Sequence, residues 1–244
     1  MMSYSVYDLK QFYSRRAGRL VRRLLSSHIR ELWPDVKGLD IMGYGYAVPY
    51  LRSFQEESAN AYAVMTASNG VHFWPEDQGR KGLVCLSTEA ELPFATESLD
   101  RILVVHGLEH AEMPEALIHE FWRVLKSNGR LLMVVPNRLG LWSRVDWTPF
   151  GHGTPYSYKQ IIRHLHENRF STERKEKALF MPPFRSFLVL RTAYTIESFG
   201  RFIFPGLAGV HLIEASKQIY AGIPKGKAEK VRGQRILIVD PLPT

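Results

Sequence analysis

A single cysteine, Cys85, in 244 residues excludes an internal disulfide framework and a metal site built from thiolates. No apolar run reaches the roughly 18–20 residues that a membrane span requires. The N-terminus has no uncharged apolar core followed by a small-residue cleavage site, so no secretory signal is expected and the chain reads as cytoplasmic. Neither a G-x-S-x-G elbow nor a phosphate loop ending in Gly-Lys-Ser/Thr occurs. His106 and His110 are four apart, but an expected strand-to-helix corner separates them, and no metal is expected. What is present is core material: 45% hydrophobic residues, with eleven Tyr, thirteen Phe and five Trp. The length fits one ordinary domain with a modest cap.

The net charge of +8 is concentrated at the two ends. Residues 1–30 hold seven bases and one acid, and residues 225–235 hold five bases and one acid, which leaves the rest slightly negative. A nucleic-acid groove needs positive charge on the working face, so nucleic acid is not expected as the main substrate. Residues 8–33 read as one amphipathic helix: Leu9, Phe12, Tyr13, Leu20, Val21, Leu24, Leu25, Ile29, Leu32 and Trp33 recur at helical spacing, and Pro34 ends it. Docking on the body is the ordinary use of such a helix. An arginine-backed apolar face also suits a peripheral membrane or acidic-partner contact.

From residue 37 short apolar runs alternate with amphipathic stretches. Strands are expected at 38–42, 61–66, 82–86, 100–105 and 130–135, with a helix carrying Ala116, Leu117, Phe121, Trp122 and Leu125 before the last, capped by Ser127-Asn128-Gly129. Such alternation predicts an α/β fold, a mostly parallel sheet covered on both faces. A helix near 157–168 and strands near 173–180 and 209–216 follow, a further short strand at 235–239 being less clear. The organisation expected is a basic helix at 1–36, a main domain at 37–223 with apolar cap segments at 140–158 and 182–205, and a basic tail at 224–244.

Three motifs stand in order along this frame. Gly43-Tyr44-Gly45-Tyr46-Ala47 lies between the first strand and a helix expected near Pro49. Glu89-Ala90-Glu91-Leu92-Pro93-Phe94 precedes the fourth strand, which ends in His106-Gly107-Leu108-Glu109-His110. Arg123-Val124-Leu125-Lys126-Ser127-Asn128-Gly129 precedes the fifth. A dinucleotide enzyme would instead show G-x-G-x-x-G with an acid about twenty residues on. Together these segments resemble the class I S-adenosylmethionine-dependent methyltransferases, in the branch acting on small molecules. Residues 137–158 are also similar to a bacterial subgroup with Pro-Asn-Arg-x-Gly-Leu-Trp and Thr-Pro-Phe-Gly-His-Gly-x-Pro-Tyr-Ser.

The resemblance implies a Rossmann-like, doubly wound, seven-stranded sheet with an antiparallel last strand, and S-adenosylmethionine as cofactor. By the same resemblance Gly43, Tyr44, Gly45, Tyr46 and Ala47 would line its methionine portion, Glu89, Ala90, Glu91 and Leu92 its adenine, and His106 and Gly107 its reactive end. Aromatic faces such as Tyr44 or Tyr46 suit a cationic sulfonium. Two departures stand out. Ile41 occupies the place where the family has an acid before the first glycine, and 64–72 (VMTASNGVH) has no carboxylate to hold the ribose, leaving Asn69 or Ser68 as neutral substitutes. Methyl transfer to oxygen or nitrogen also needs somewhere for a proton to go; His152, His110 and Tyr156 are the candidates. The expected activity is methyl transfer to a small or lipid-like acceptor. The missing acids leave open a degenerate relative that works as a non-catalytic binding or regulatory partner.

Overall fold

This computed structural model describes residues 5–66, 70–74, 83–183, 197, 200 and 206–218. The expected helical part of 182–205, the strand at 235–239, the basic tail and Ser68 and Asn69 lie outside those residues or almost entirely so.

Seven strands form one sheet: β1 Asp40–Gly45, β2 Asn60–Thr66, β3 Val84–Ser87, β4 Leu99–Val105, β5 Leu125–Pro136, β6 Phe170–Ala178 and β7 Val210–Lys217. Their order is β3-β2-β1-β4-β5-β7-β6. The first five pair in parallel, whereas β7 runs antiparallel to both β5 and β6. The central strands are buried along most of their length because both faces are covered, which is why they read as continuous apolar runs. One face carries Ile41, Ala63, Leu103, Leu132 and Leu212 against the N-terminal helices. The other carries Met42, Val64, Ile102, Val104 and Met133 against the helix between β4 and β5, α4 Pro114–Val124, and the helix before β6, α5 Tyr158–Glu167. A 3-10 turn, Leu108–His110, follows β4.

The N-terminal stretch is two helices, not one: α1 Val6–Ser14 and α2 Arg16–Leu32. Arg15 adopts extended backbone between them, and its N–H is taken by the Phe12 carbonyl at 3.0 Å. Breaking there lets both apolar stripes reach the sheet. Leu9, Phe12 and Tyr13 join Val21, Leu25 and Ile29 in the core that also contains Ile41 and Leu103. The Trp33 indole donates to the buried Glu214 of β7 at 3.0 Å, fixing the end of α2 to the sheet. The apolar face is thus spent on the protein's own core, and the arginines form its back.

Two further expectations are corrected. The helix before β5 ends at Val124, and Asn128-Gly129 lies inside β5 and not at a helix cap. Leu125 already has extended backbone, since pairing with Leu99 begins there. The glycine motif is not a turn after β1 either. Gly43 pairs with Ala63 and Leu103, and Gly45 with Val105, within the sheet. The helix near Pro49, α3 Val48–Leu51, is one turn long.

His211 on β7 is buried, and burial first, then the charge of Lys177, push its imidazole down to about 4. The unfolded chain therefore binds a proton that the folded protein refuses between about pH 6.5 and 4. Stability is fully present above pH 6.5 and falls as the pH drops toward 4, by about 3 kcal/mol from this residue. Urea melts of the wild type and of His211→Gln across that window should show the slope flattened in the variant. An unchanged slope would assign the acid sensitivity elsewhere.

Candidate active site at the ends of β1 and β4

The C-terminal ends of parallel strands are where an open α/β sheet offers a ligand crevice. Here β4 ends in His106, which is held at φ +50° and buried. A left-handed histidine is costly for a residue with a side chain, and such strain concentrates at working sites. Four elements converge on it. Tyr13 of α1 places its hydroxyl 2.8 Å from His106 Nε2, and Tyr50 of α3 donates to the Tyr13 hydroxyl at 2.9 Å. Glu109, from the 3-10 turn, lies with Oε1 3.3 Å from His106 Nδ1. The Phe150 ring packs on the imidazole with centroids 4.8 Å apart.

The chain of bonds fixes the histidine tautomer. Burial alone would raise the Glu109 carboxyl, but its hydrogen bond with His106 and the neighbouring histidines outweigh burial and hold it below the usual carboxylate range. An ionised Glu109 only accepts, so His106 Nδ1 carries the proton and Nε2 accepts from Tyr13. Tyr50, Tyr13, His106 and Glu109 then form one directed network with every link satisfied. Burial also drives the Tyr13 and Tyr50 hydroxyls well above their ordinary range, so both stay protonated.

Several residues expected at a site do meet here. Tyr46 is buried and stacks under Tyr13, centroids 5.7 Å apart at 24°. Tyr44 does not join them: it is fully buried on the opposite sheet face, edge-on to Phe121 at 5.2 Å. His110 stands within electrostatic reach of Glu109, His106 and His152, and burial lowers its affinity for a proton. Tyr156 is buried within reach of the charges of Glu109 and Glu89, and burial first, then those charges, raises its hydroxyl. His152 has Nε2 2.7 Å from the Asp146 carbonyl, which ties it to its own loop.

The other residues expected to line the cofactor lie as follows. A side chain on Gly43 would meet Leu51 at 2.6 Å, and one on Gly45 the Val105 oxygen at 2.5 Å, so protein already fills the space that these glycines leave. Ala47 is buried at the start of α3, and Gly107 sits against the Tyr44 ring. Glu89 accepts the backbone N–H groups of Glu112 and Met113, at 2.9 and 2.6 Å. Ala90 and Glu91 are exposed. The Leu92 N–H is bound by Glu120 at 2.8 Å. Asn69 lies outside the described residues. Glu109, Tyr13, Tyr50 and Phe150 were not singled out from sequence as site residues. Glu109 stood inside the Leu-Glu-His motif, while Tyr13 looked like one more member of an apolar stripe.

Comparison with known proteins agrees with this architecture. Residues 39–133 match the family model described as a methyltransferase domain. No functionally curated sequence matches the chain. Among solved structures, the fold is similar to the putative methyltransferase crystallised with the Trm112 activator of Haloferax volcanii (TM-score 0.60, 14% identity, 88% of this chain and 99% of that one). It is also similar to a possible histamine N-methyltransferase of Thermotoga maritima (0.59, 14%, 87% and 96%) and a SAM-dependent methyltransferase of Archaeoglobus fulgidus (0.55, 18%, 80% and 94%). The chain has the fold of the class I S-adenosylmethionine-dependent methyltransferases, and its segment 39–133 matches the model of a methyltransferase domain. The cofactor that follows is S-adenosylmethionine.

The residues present suit the methionine end of that cofactor. Two buried polar atoms at these strand ends, Glu109 Oε2 and His110 Nε2, have no hydrogen-bond partner among the described residues. Buried polar groups are normally paired. A free carboxylate oxygen and the aromatic faces of Tyr13 and Tyr46 match an ammonium or sulfonium.

Proposed function

We propose that the protein transfers a methyl group from S-adenosylmethionine to a small or lipid-like acceptor. The observation that carries this reading is the buried Glu109 carboxylate, one oxygen without a partner among the described residues, set beside aromatic faces at the end of β4. When bound, the cofactor supplies an electrophilic methyl group on a cationic sulfur. Glu109 would hold that end by charge, with its orientation set by His106, which is itself fixed by Tyr13. His110 is the better candidate for receiving a proton from an oxygen or nitrogen acceptor: its Nε2 has no partner among the described residues, and burial favours the neutral ring. His152, tied to Asp146, would hold the loop over the acceptor. Tyr156, kept protonated, would donate a hydrogen bond there.

Calorimetry with S-adenosylmethionine and its demethylated product tests the reading. Micromolar binding is expected, weakened about tenfold in Glu109→Gln, which exchanges a charge-assisted contact for a neutral one. Equal affinity in that variant would remove Glu109 from the site. A second reading, a binding protein without transfer activity, is favoured by one observation: Tyr13 of α1 already engages His106 and covers Tyr46. Absence of binding both to the folded wild type and to Tyr13→Ala would support it.

A further inference from the structure

Away from the ends of β1 and β4, a cavity of about 720 Å³ opens where the end of β5, the start of β7 and the edge strand β6 meet. That volume is in the range of sites that enclose a small organic molecule. In the strand order, β7 and β6 lie two and three places from β4, roughly 10–15 Å from His106 at ordinary strand spacing. Asn137, at the end of β5, lines the cavity one place from β4, so the cavity adjoins that crevice along the same edge of the sheet; the inference does not rest on the methyltransferase reading.

The lining is of two kinds. Lys159, Lys175 and Lys177 bring three positive charges, and Lys159 belongs to the first turn of α5, whose dipole also favours an anion. Among the described lining residues one carboxylate stands against them, Glu176, which is engaged by His28 at 2.9 Å. Tyr158, Phe180 and Leu139 form the apolar wall, and Lys175 Nζ sits 5.0 Å from the centroid of the Tyr158 ring. His211 also lines the cavity. It is 4% exposed, and its Nδ1 has no hydrogen-bond partner among the described residues; the buried Tyr158 hydroxyl has none either. The same corner brings His28, Glu31 and Glu176 close enough to share a cation. However, His28 and Glu176 already satisfy each other, and Lys175 and Lys177 flank Glu176 along β6. The local charge favours an anion.

We propose that this cavity is a second binding site, which takes an amphipathic anion: a carboxylate or phosphate head held by Lys175, Lys177 and Lys159, with an apolar body against Tyr158 and Phe180. His211 and the Tyr158 hydroxyl supply neutral hydrogen bonds to the polar end. A concave cavity of this size takes one molecule, so the ligand is a single soluble amphiphile and not the face of a bilayer.

Calorimetry on the full chain with monomeric octyl phosphate tests this, alongside octanol, inorganic phosphate and phosphatidylglycerol vesicles. One molar equivalent of octyl phosphate should bind, with octanol and inorganic phosphate each at least fivefold weaker. Lys175→Ala/Lys177→Ala, at exposed positions, should weaken binding at least fivefold, and Leu139→Trp, which fills the mouth, should abolish it. Octanol binding as well as octyl phosphate would overturn the anionic head, and inorganic phosphate binding as well would overturn the apolar body. Vesicle binding without binding of the monomer would replace the cavity ligand with a lipid surface. Full affinity in the double lysine variant or in Leu139→Trp would overturn the site itself.

Discussion

Gly45→Ala is expected to cost about 3 kcal/mol or more, which lowers the midpoint of thermal unfolding by roughly 6–12 °C. Gly45 has φ +77°, and a Cβ there would lie 2.5 Å from the Val105 oxygen, 2.7 Å from the His106 oxygen and 2.9 Å from the Gly107 Cα. All three are backbone atoms of the β4 exit, so they cannot swing aside as a side chain could. The control is Gly38→Ala. Gly38 has a nearly identical φ, +72°, yet a Cβ there meets nothing within 4 Å. It should cost only the conformational penalty, about 1–2 kcal/mol. Circular-dichroism melts of both variants separate backbone strain from contact. Equal losses would mean that β1 and β4 part easily at their ends, and that His106 is less rigidly placed than its neighbours imply.

Tyr13→Ala should destabilise the fold by about 3–5 kcal/mol, as expected when a large buried ring is deleted from a packed core. The ring packs against Phe12, Tyr46, Tyr50 and His106 at once, and it is 5% exposed. Tyr13→Phe keeps those contacts and removes only the hydroxyl that links Tyr50 to His106, leaving two buried polar groups unpaired at a cost of about 1–3 kcal/mol. The gap between the two variants measures packing, and the smaller loss measures the network. If Tyr13→Phe proved neutral, the directed chain from Tyr50 to Glu109 would not contribute to stability.

The sheet was legible in the sequence because its central strands are buried on both faces. The apolar runs at 61–66 and 100–105 became β2 and β4 within a residue of their expected bounds. Where local signals failed, tertiary pairing overrode them. Asn128-Gly129 carries a cap signal, but the ladder with β4 extends β5 back to Leu125. The amphipathic period of 8–33 runs unbroken across Arg15, and nothing local marks the break that brings two stripes onto one sheet face. The site divides in the same way. His106 and His110 follow a recognisable motif at the end of a strand. Tyr13 reaches His106 across 93 residues of chain and Tyr50 across 37, and no periodicity encodes such contacts. The glycines were visible, but their purpose was not: the neighbours that crowd Gly45 come from a strand sixty residues later.

The position of β7 has a consequence for synthesis and assembly. Among the described residues β6 pairs in the sheet with β7 alone, and β7 is also the outer neighbour of β5. Both ladders wait for residues 210–217, which the ribosome delivers after the six other described strands. Until then a nascent chain carries two open strand edges, the long apolar one of β5 and the detached β6, and unpaired edges of this kind recruit other chains. One late segment thus closes two edges in a single docking event, and the interval before it arrives is when this protein has most need of a chaperone.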